Sequence, residues 1–442
     1  MRWIVVLTVS AGCAAGADVR EFGAKGDGRA DDAPAFEKAA AAGPLWLPKG
    51  DYRLARTVVL QAGRGPVGLR ADGGATVWMD GSGPAFRIVG GHAGTADPRT
   101  LAPAAAERER MPLLDGLVIA GRHPEADGVL LEGTVFATLT RLLIRRVRHG
   151  VILTGRNRNV ILSDCHLYDN RGAGLLLEKL NLHQVNVTGC HISYNRGGGI
   201  VVRDSEIRNL QIAGCDLEAN MAADGPPAAN LLVDTRTGSV REGALTGSTL
   251  QHDGKAAGGA NVRMIGAGPE APHKAGFFSI ADNVLSDAAI NIHLRHVRGV
   301  NITGNTFAQG YTHHLLAEDC SNITLGPNTL DQNPDYDQGA PRNGVVFLGS
   351  RDSSIHGLHV NRARDPEASL LLRRCRRFHV TGTTILDSDG AGIWVDRSEW
   401  VRVSGSLIHD ARGIKRPAVR VTGGRHIVVE GTLGGGAEAS SR

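Results

Sequence analysis

Cys165, Cys190 and Cys215 stand 25 residues apart, each at the same place in a repeated octapeptide. The copies read Val160-Ile-Leu-Ser-Asp-Cys-His-Leu167, Val185-Asn-Val-Thr-Gly-Cys-His-Ile192 and Leu210-Gln-Ile-Ala-Gly-Cys-Asp-Leu217. Later segments keep the pattern, among them Val300-Asn-Ile-Thr-Gly-Asn-Thr-Phe307, Ile323-Thr-Leu-Gly-Pro-Asn-Thr-Leu330 and Phe378-His-Val-Thr-Gly-Thr-Thr-Ile385. Each copy alternates apolar and polar residues, turns, and resumes with a short apolar pair. A third apolar run follows, as in Gly174-Leu-Leu-Leu177, Gly199-Ile-Val-Val202 and Gly392-Ile-Trp-Val395. Three short strands in roughly two dozen residues make one turn of a parallel β-helix. Alternation sends one side of each strand inward and the other to solvent. The pattern predicts an all-β, right-handed parallel β-helix of about 13 coils, a rod about 60 Å long at ~4.8 Å per coil. Leucine-rich repeats place their asparagine differently, and HEAT repeats need long helices, so both solenoids are disfavoured.

The same register assigns the cysteines. Stacked coils bring the three to one buried column, where a thiol packs as a small hydrophobe. The five cysteines after Cys13 are odd in number and lack CxxC spacing, which speaks against a disulfide framework or a structural zinc site. Asn283, Asn305 and Asn328 read as a second stacked series, whose amides satisfy turn backbone and one another. Glycine, at 59 of 442 residues, is abundant because three tight corners per coil need it.

Met1 to Ala17 has the form of a secretory leader: Arg2, an apolar run and Ala15-Gly16-Ala17 as a cleavage site. The expectation is a secreted (periplasmic or extracellular) protein with residues 1–17 as signal peptide. Residues 18–112 form an N-terminal cap and first coils, 113–435 the β-helix and 436–442 a frayed tail. No later stretch approaches 18 apolar residues, so no membrane span is expected. Asp32 to Ala42 reads as an amphipathic helix that closes the end of the coil stack, whose bare strand edges would otherwise template aggregation. Insertions interrupt the rhythm at Gly90–Met111, Met221–Ala229, Asp253–His273 and Asp331–Arg342. The first is read as a flap or cap. The other three are expected beside one corner, as the walls of a groove. A hydrophobic share of 42% excludes wholesale disorder, and a net charge of +4 gives no case for nucleic acid.

The segments Phe22-Gly-Ala-Lys-Gly-Asp-Gly28, Ala30-Asp-Asp32 and Leu47-Pro-Lys-Gly-Asp-Tyr52 resemble the start of the pectate-lyase-like superfamily. That group holds polysaccharide lyases, polygalacturonase-type hydrolases, uronate epimerases and tailspikes. The resemblance implies the β-helix and a glycan ligand, without fixing the reaction. Ala126-Asp127-Gly128 matches only the tail of the first polygalacturonase motif, and the Asp-Asp and Gly-His-Gly motifs are missing, which weighs against a pectin hydrolase. Lys274 and Arg295, one coil apart, are similar to the lysine and arginine of chondroitin- and alginate-cleaving lyases.

The densest titratable set lies in the middle coils. Along Ile290 to Arg295, alternation puts Ile290, Ile292 and Leu294 inward, leaving Asn291, His293 and Arg295 to project together, with an irregular step expected at the strand's end. His314, 21 residues after His293, is expected beside it. Lyase chemistry on a uronate polymer needs a cation on the sugar carboxylate, a base for the C5 proton and an acid for the leaving oxygen. Arg295 suits the first task, Lys274, His293 or His314 the second, and Tyr311 or a histidine the third. Hydrolysis needs two carboxyl groups, for which Asp335 and Asp337 are the foremost pair. Asn291, Tyr311, Arg263, Arg203, Arg196, His252 and Asp253 are the expected contacts to an acidic polysaccharide or oligosaccharide. A Ca2+ ion held by these carboxylates is left open, since no spacing resembles an EF-hand, and so is the oligomeric state. The alternatives to a lyase are a glycoside hydrolase on the same groove and a glycan-binding or structural surface protein without chemistry.

Overall fold

A computed structural model describes residues 16–71, 73–252, 256–271, 274–333, 341–434 and 438–440. Its strands follow one another around three faces, and each pairs in parallel with its counterpart one coil on. On the first face thirteen rungs run from Leu113–Asp115 to Arg425–Glu430, as the repeat predicts. Three rungs precede them, Ala17–Asp18, Leu45–Leu47 and Gly68–Ala71. The second face is narrow, built from strands such as His166–Tyr168 and His191–Ser193. The third face carries strands such as Gly198–Arg203, Ala260–Ile265 and Ala391–Asp396.

The corner between the first and second faces explains the octapeptide. Asp164, Gly189, Gly214, Gly247, Asp282 and Gly304 take positive φ there, between 53° and 70°. L-residues resist that conformation, and glycine or a short acid or amide tolerates it best. The next residue points inward. Cys165, Cys190, Cys215, Ser248, Asn283, Asn305 and Asn328 form one continuous column, where the sequence had offered two series. The Cys215 N–H donates to Ser248 Oγ at 3.1 Å, and the Ser248 N–H to Asn283 Oδ1 at 3.0 Å. Asn283 Nδ2 donates to Asn305 Oδ1, and Asn305 Nδ2 to Asn328 Oδ1, both at 2.9 Å. The cysteines after Cys13 are all buried and unpaired.

The corner between the second and third faces holds another ladder: Asn170, Asn195, Asn220, Asn230, Asn261 and Asn291, each amide donating to the next at 2.7–2.9 Å. Asparagine suits the place because its amide has both donors and acceptors, so it can serve the coils on either side and leave no buried polar group unpaired.

The cap is the expected helix, Ala33–Ala42, with a proline in its first turn and Phe36 wholly buried against Tyr52 and Phe86. The opening motif folds around its acids. Asp32 accepts from the Lys25 and Gly26 N–H groups, and Asp31 from those of Ala33 and Ala55.

Gly90–Met111 is a docked segment containing a short helix, Pro103–Glu109. Buried Glu109 accepts from the N–H of Gly91 at 2.5 Å and of Val135 at 2.9 Å, while Arg158 reaches the Asp97 and Pro98 carbonyls. The expected shared corner holds for 221–229 and 331–342, which precede third-face strands Ala229–Asp234 and Gly344–Leu348. The insertion read as 253–273 is two loops. One precedes Ala260–Ile265 at that corner; the other follows it at the next corner, before Ala275–Ala281. Among the described residues no helix is long and apolar enough to cross a membrane.

Candidate functional site

The outward side of the third face carries the candidate cluster. In successive coils one outward column reads Ile152, Leu176, Val201, Leu232, Arg263, His293, Leu316, Val346, Leu371 and Trp394. An apolar stripe is thus interrupted in the middle of the rod by one guanidinium and one imidazole. The neighbouring column places Ile265, Arg295 and Glu318 beside them.

These polar groups form a chain of bonds. Arg263 Nε donates to His293 Nδ1 at 3.2 Å, and His293 Nε2 meets Glu318 Oε2 at 2.8 Å. The arrangement fixes the tautomer: Nδ1 accepts, so the ring proton sits on Nε2 and points at the carboxyl group. Burial pushes the His293 pKa down, Glu318 opposing and Arg263 reinforcing the shift. Arg263 itself is held under two loops, Nη2 donating to Gly258 O at 2.5 Å and Nη1 to Ala228 O at 3.5 Å.

His313 lies in register with Ile290 below and Gly344 above, at the loop edge of the same face. Burial lowers its pKa, and Asp365, His293, Arg342 and Glu318 all act on its charge. Its Nδ1 is buried without a partner among the described residues. A Cβ built on Gly344 would lie 3.1 Å from Asp365 Oδ2, so glycine there lets the carboxyl group fold over the strand toward His313. Arg295 is exposed next to Glu318.

Two expected members of this cluster lie elsewhere. Asn291 and His314 were read as solvent-facing, but both are buried, 0% and 1% exposed. Asn291 is the last asparagine of the second ladder, and its Nδ2 meets His314 Nδ1 at 3.0 Å. The irregular step falls at the start of the strand, between Ala288 and Ile290, where Asn291 turns inward. The local spacing is 23 residues, so His314 stacks on Asn291, and His293 neighbours Leu316. Burial pushes the His314 pKa down to about 3. Ile290, assigned to the core, is partly exposed.

The remaining candidates are dispersed. Lys274 is half-buried just before Ala275–Ala281, at the corner that leaves the third face. Tyr311 lies beside Asp287, whose pKa burial raises. Arg203 pairs with Glu178, and Arg196 with Asp224 at 2.8 Å. His252 is buried. Asp253, Asp335 and Asp337 lie outside the described residues. Among the described residues no group of three or more His, Cys, Asp or Glu side chains is arranged to hold a metal ion. The sequence reading missed His313 and Asp365. The His313-His314 pair was visible, but which ring faced out depended on the bulge; Asp365 had no signal, being 52 residues beyond His313 in sequence.

A family model described as "Right handed beta helix region" matches residues 109–238 and 273–432. A pre-neck appendage protein of Bacillus phage B103 is 35% identical over 66 residues, 15% of this chain and 8% of that protein. Bacteriophage CBA120 tailspike protein 3 superposes with TM-score 0.56 at 15% identity, over 94% of this chain and 61% of that one. Bacteriophage phi29 gene product 12 gives TM-score 0.56 at 13% identity, over 95% and 56%. The tailspike protein gp49 of Pseudomonas phage LKA1 gives 0.50 at 14%, over 94% and 81%. The chain spans less than two thirds of the phage B103, CBA120 and phi29 proteins. At these identities the likeness to solved structures is one of fold.

Proposed function

The chain belongs to the right-handed β-helix family, and we propose that it is a secreted enzyme that binds an acidic, uronate-containing polysaccharide along its third face and cleaves it by β-elimination. The observation that carries this reading is a pair of imidazoles, His293 and His313, kept neutral by burial beside the exposed guanidinium of Arg295. Arg295 pairs with the sugar carboxylate and makes the C5 proton more acidic. A neutral imidazole takes that proton; the C4–O bond breaks, a C4–C5 double bond forms, and the leaving oxygen is protonated. Both nitrogens of His293 are engaged, by Arg263 and Glu318, so His313 is the base and His293 positions Glu318.

A second reading, hydrolysis, is favoured by two carboxyl groups, Glu318 and Asp365, that both act on His313. One screen separates these readings. Pectate, alginate, chondroitin and neutral glycans are each incubated with the protein and read for ultraviolet-absorbing unsaturated products and for reducing ends. Unsaturated products from a uronate polymer support elimination, and reducing ends without that absorbance transfer the site to hydrolysis. Binding with neither product leaves a glycan-binding rod, a use in keeping with the tailspike names among its structural relatives.

A further inference from the structure

An open hollow of about 650 Å³ lies on the first face and does not include His293 or His313. Its floor and rim come from the last coils: Arg376, Arg377, His379, Glu399, Trp400 and Arg425. Trp400 is 58% exposed and stacks on His426 of the next coil, with centroids 4.1 Å apart and planes at 17°. It stands in a column of left-handed residues, Phe277, Gly299, Asn322, Asp352, Arg377, Trp400 and His426, all with positive φ. Glycine and asparagine fill this position elsewhere with little strain. A tryptophan there carries both backbone strain and a wet indole.

The surroundings are cationic. Arg377 pairs with Asp352, and Arg425 grips Glu399 through Nε at 3.1 Å and Nη2 at 3.2 Å. Arg376 adds a third guanidinium to those two carboxyl groups. The hollow belongs to the basic end of the chain: residues 341–434 hold fifteen Lys and Arg against nine Asp and Glu, a surplus of six in a chain whose total is +4.

We propose that this hollow is a second docking site for an acidic sugar, in which the apolar face of one pyranose ring lies on Trp400 and its carboxylate meets Arg376 and the edge of the Arg377 and Arg425 pairs. An indole supplies area for the C–H face of a sugar, and guanidinium forks recognise carboxylates. The site holds the glycan without reacting with it. It takes from the proposed function only the class of ligand.

The test is titration of the whole protein with defined oligogalacturonates and oligomannuronates, and with cello-oligosaccharides as neutral controls, followed by calorimetry and indole fluorescence. Binding with a change in fluorescence is expected for an acidic series. Trp400→Asn, which suits the left-handed backbone, and Arg376→Ala should each weaken it at least about fivefold. Arg295→Ala, on the other face, should leave the fluorescence change in place. Equal affinity in Trp400→Asn, equal binding of the neutral series, or no binding of any acidic oligosaccharide would overturn the proposal. Cleavage without Trp400-dependent binding removes this site and keeps the enzyme; Trp400-dependent binding without cleavage does the reverse.

Discussion

His314 stacks on Asn291, the last of the six asparagines of the second ladder. It accepts from Asn291 through Nδ1, while Nε2, buried against the core, has no partner among the described residues. Its pKa, about 3, is depressed below the ordinary imidazole value by burial. The unfolded chain therefore binds a proton that the folded chain refuses, and stability is complete above pH ~6.5 and falls as pH drops toward 3. His314→Asn, which continues the ladder with an amide, should flatten the acid limb; thermal melts at pH 5 and pH 8 measure it. The neighbouring His313 obeys the same sign. Burial lowers its pKa, so its proton-accepting form survives below the usual imidazole range, and the acid limb of turnover should lie below pH ~6.5. Arg295 is exposed and takes no part in either ladder, so Arg295→Ala should stay folded and lose at least about 100-fold in turnover. Near-wild-type rates on the screened uronate would remove it from the mechanism.

At the scale of coils, corners and insertions, the repeat made most of the architecture legible. A left-handed corner demands glycine or a short acid, and the inward residue after it must be small or self-satisfying. Those two demands recur in the octapeptides, the copy with Pro327 at its corner excepted, which is why Cys165, Cys190 and Cys215 could be stacked by counting. Counting failed where a bulge changed the count. The step before Ile290 moved Asn291 and His314 indoors and left His293 and His313 outside. Asp365 was invisible for another reason: it reaches the cluster by folding over Gly344, a contact that no periodicity encodes. The insertion 90–111 shows a third limit. Its composition left a flap and a cap open, and one buried carboxyl group pins it to the coils. Glu109 satisfies two backbone N–H groups, and removing it orphans both, at a cost of about 2–4 kcal/mol. Glu109→Ala should make this segment much more sensitive to protease, with the coils left intact; unchanged proteolysis would show that Arg158 and Asn181, whose Oδ1 accepts from the Ala96 N–H, hold it unaided.

The whole rod is a stack in which each coil touches chiefly its neighbours, so position along the axis is a functional coordinate. The third-face cluster sits in the middle coils, whereas the positive charge gathers near the C-terminal end, where six surplus cations leave the rest of the chain slightly negative. On the proposed function, a field of this shape would draw a polyanion toward one end of the rod and orient it along the axis before any sugar reached His313. Short-range contacts survive salt; this steering does not. Between about 0.1 M and 1 M salt the screening length shrinks from about 10 Å to about 3 Å, less than the spacing of a few coils. The affinity for a long polyuronate should therefore fall by at least about tenfold over that range, chiefly through slower association, while a single uronate unit loses much less. Surface-immobilised protein titrated with both ligands at the two salt concentrations gives the comparison. If the long polymer proved no more sensitive to salt than the single unit, the charge at the C-terminal end would be a solubility feature and the polymer would be held by local contacts at its cleavage site.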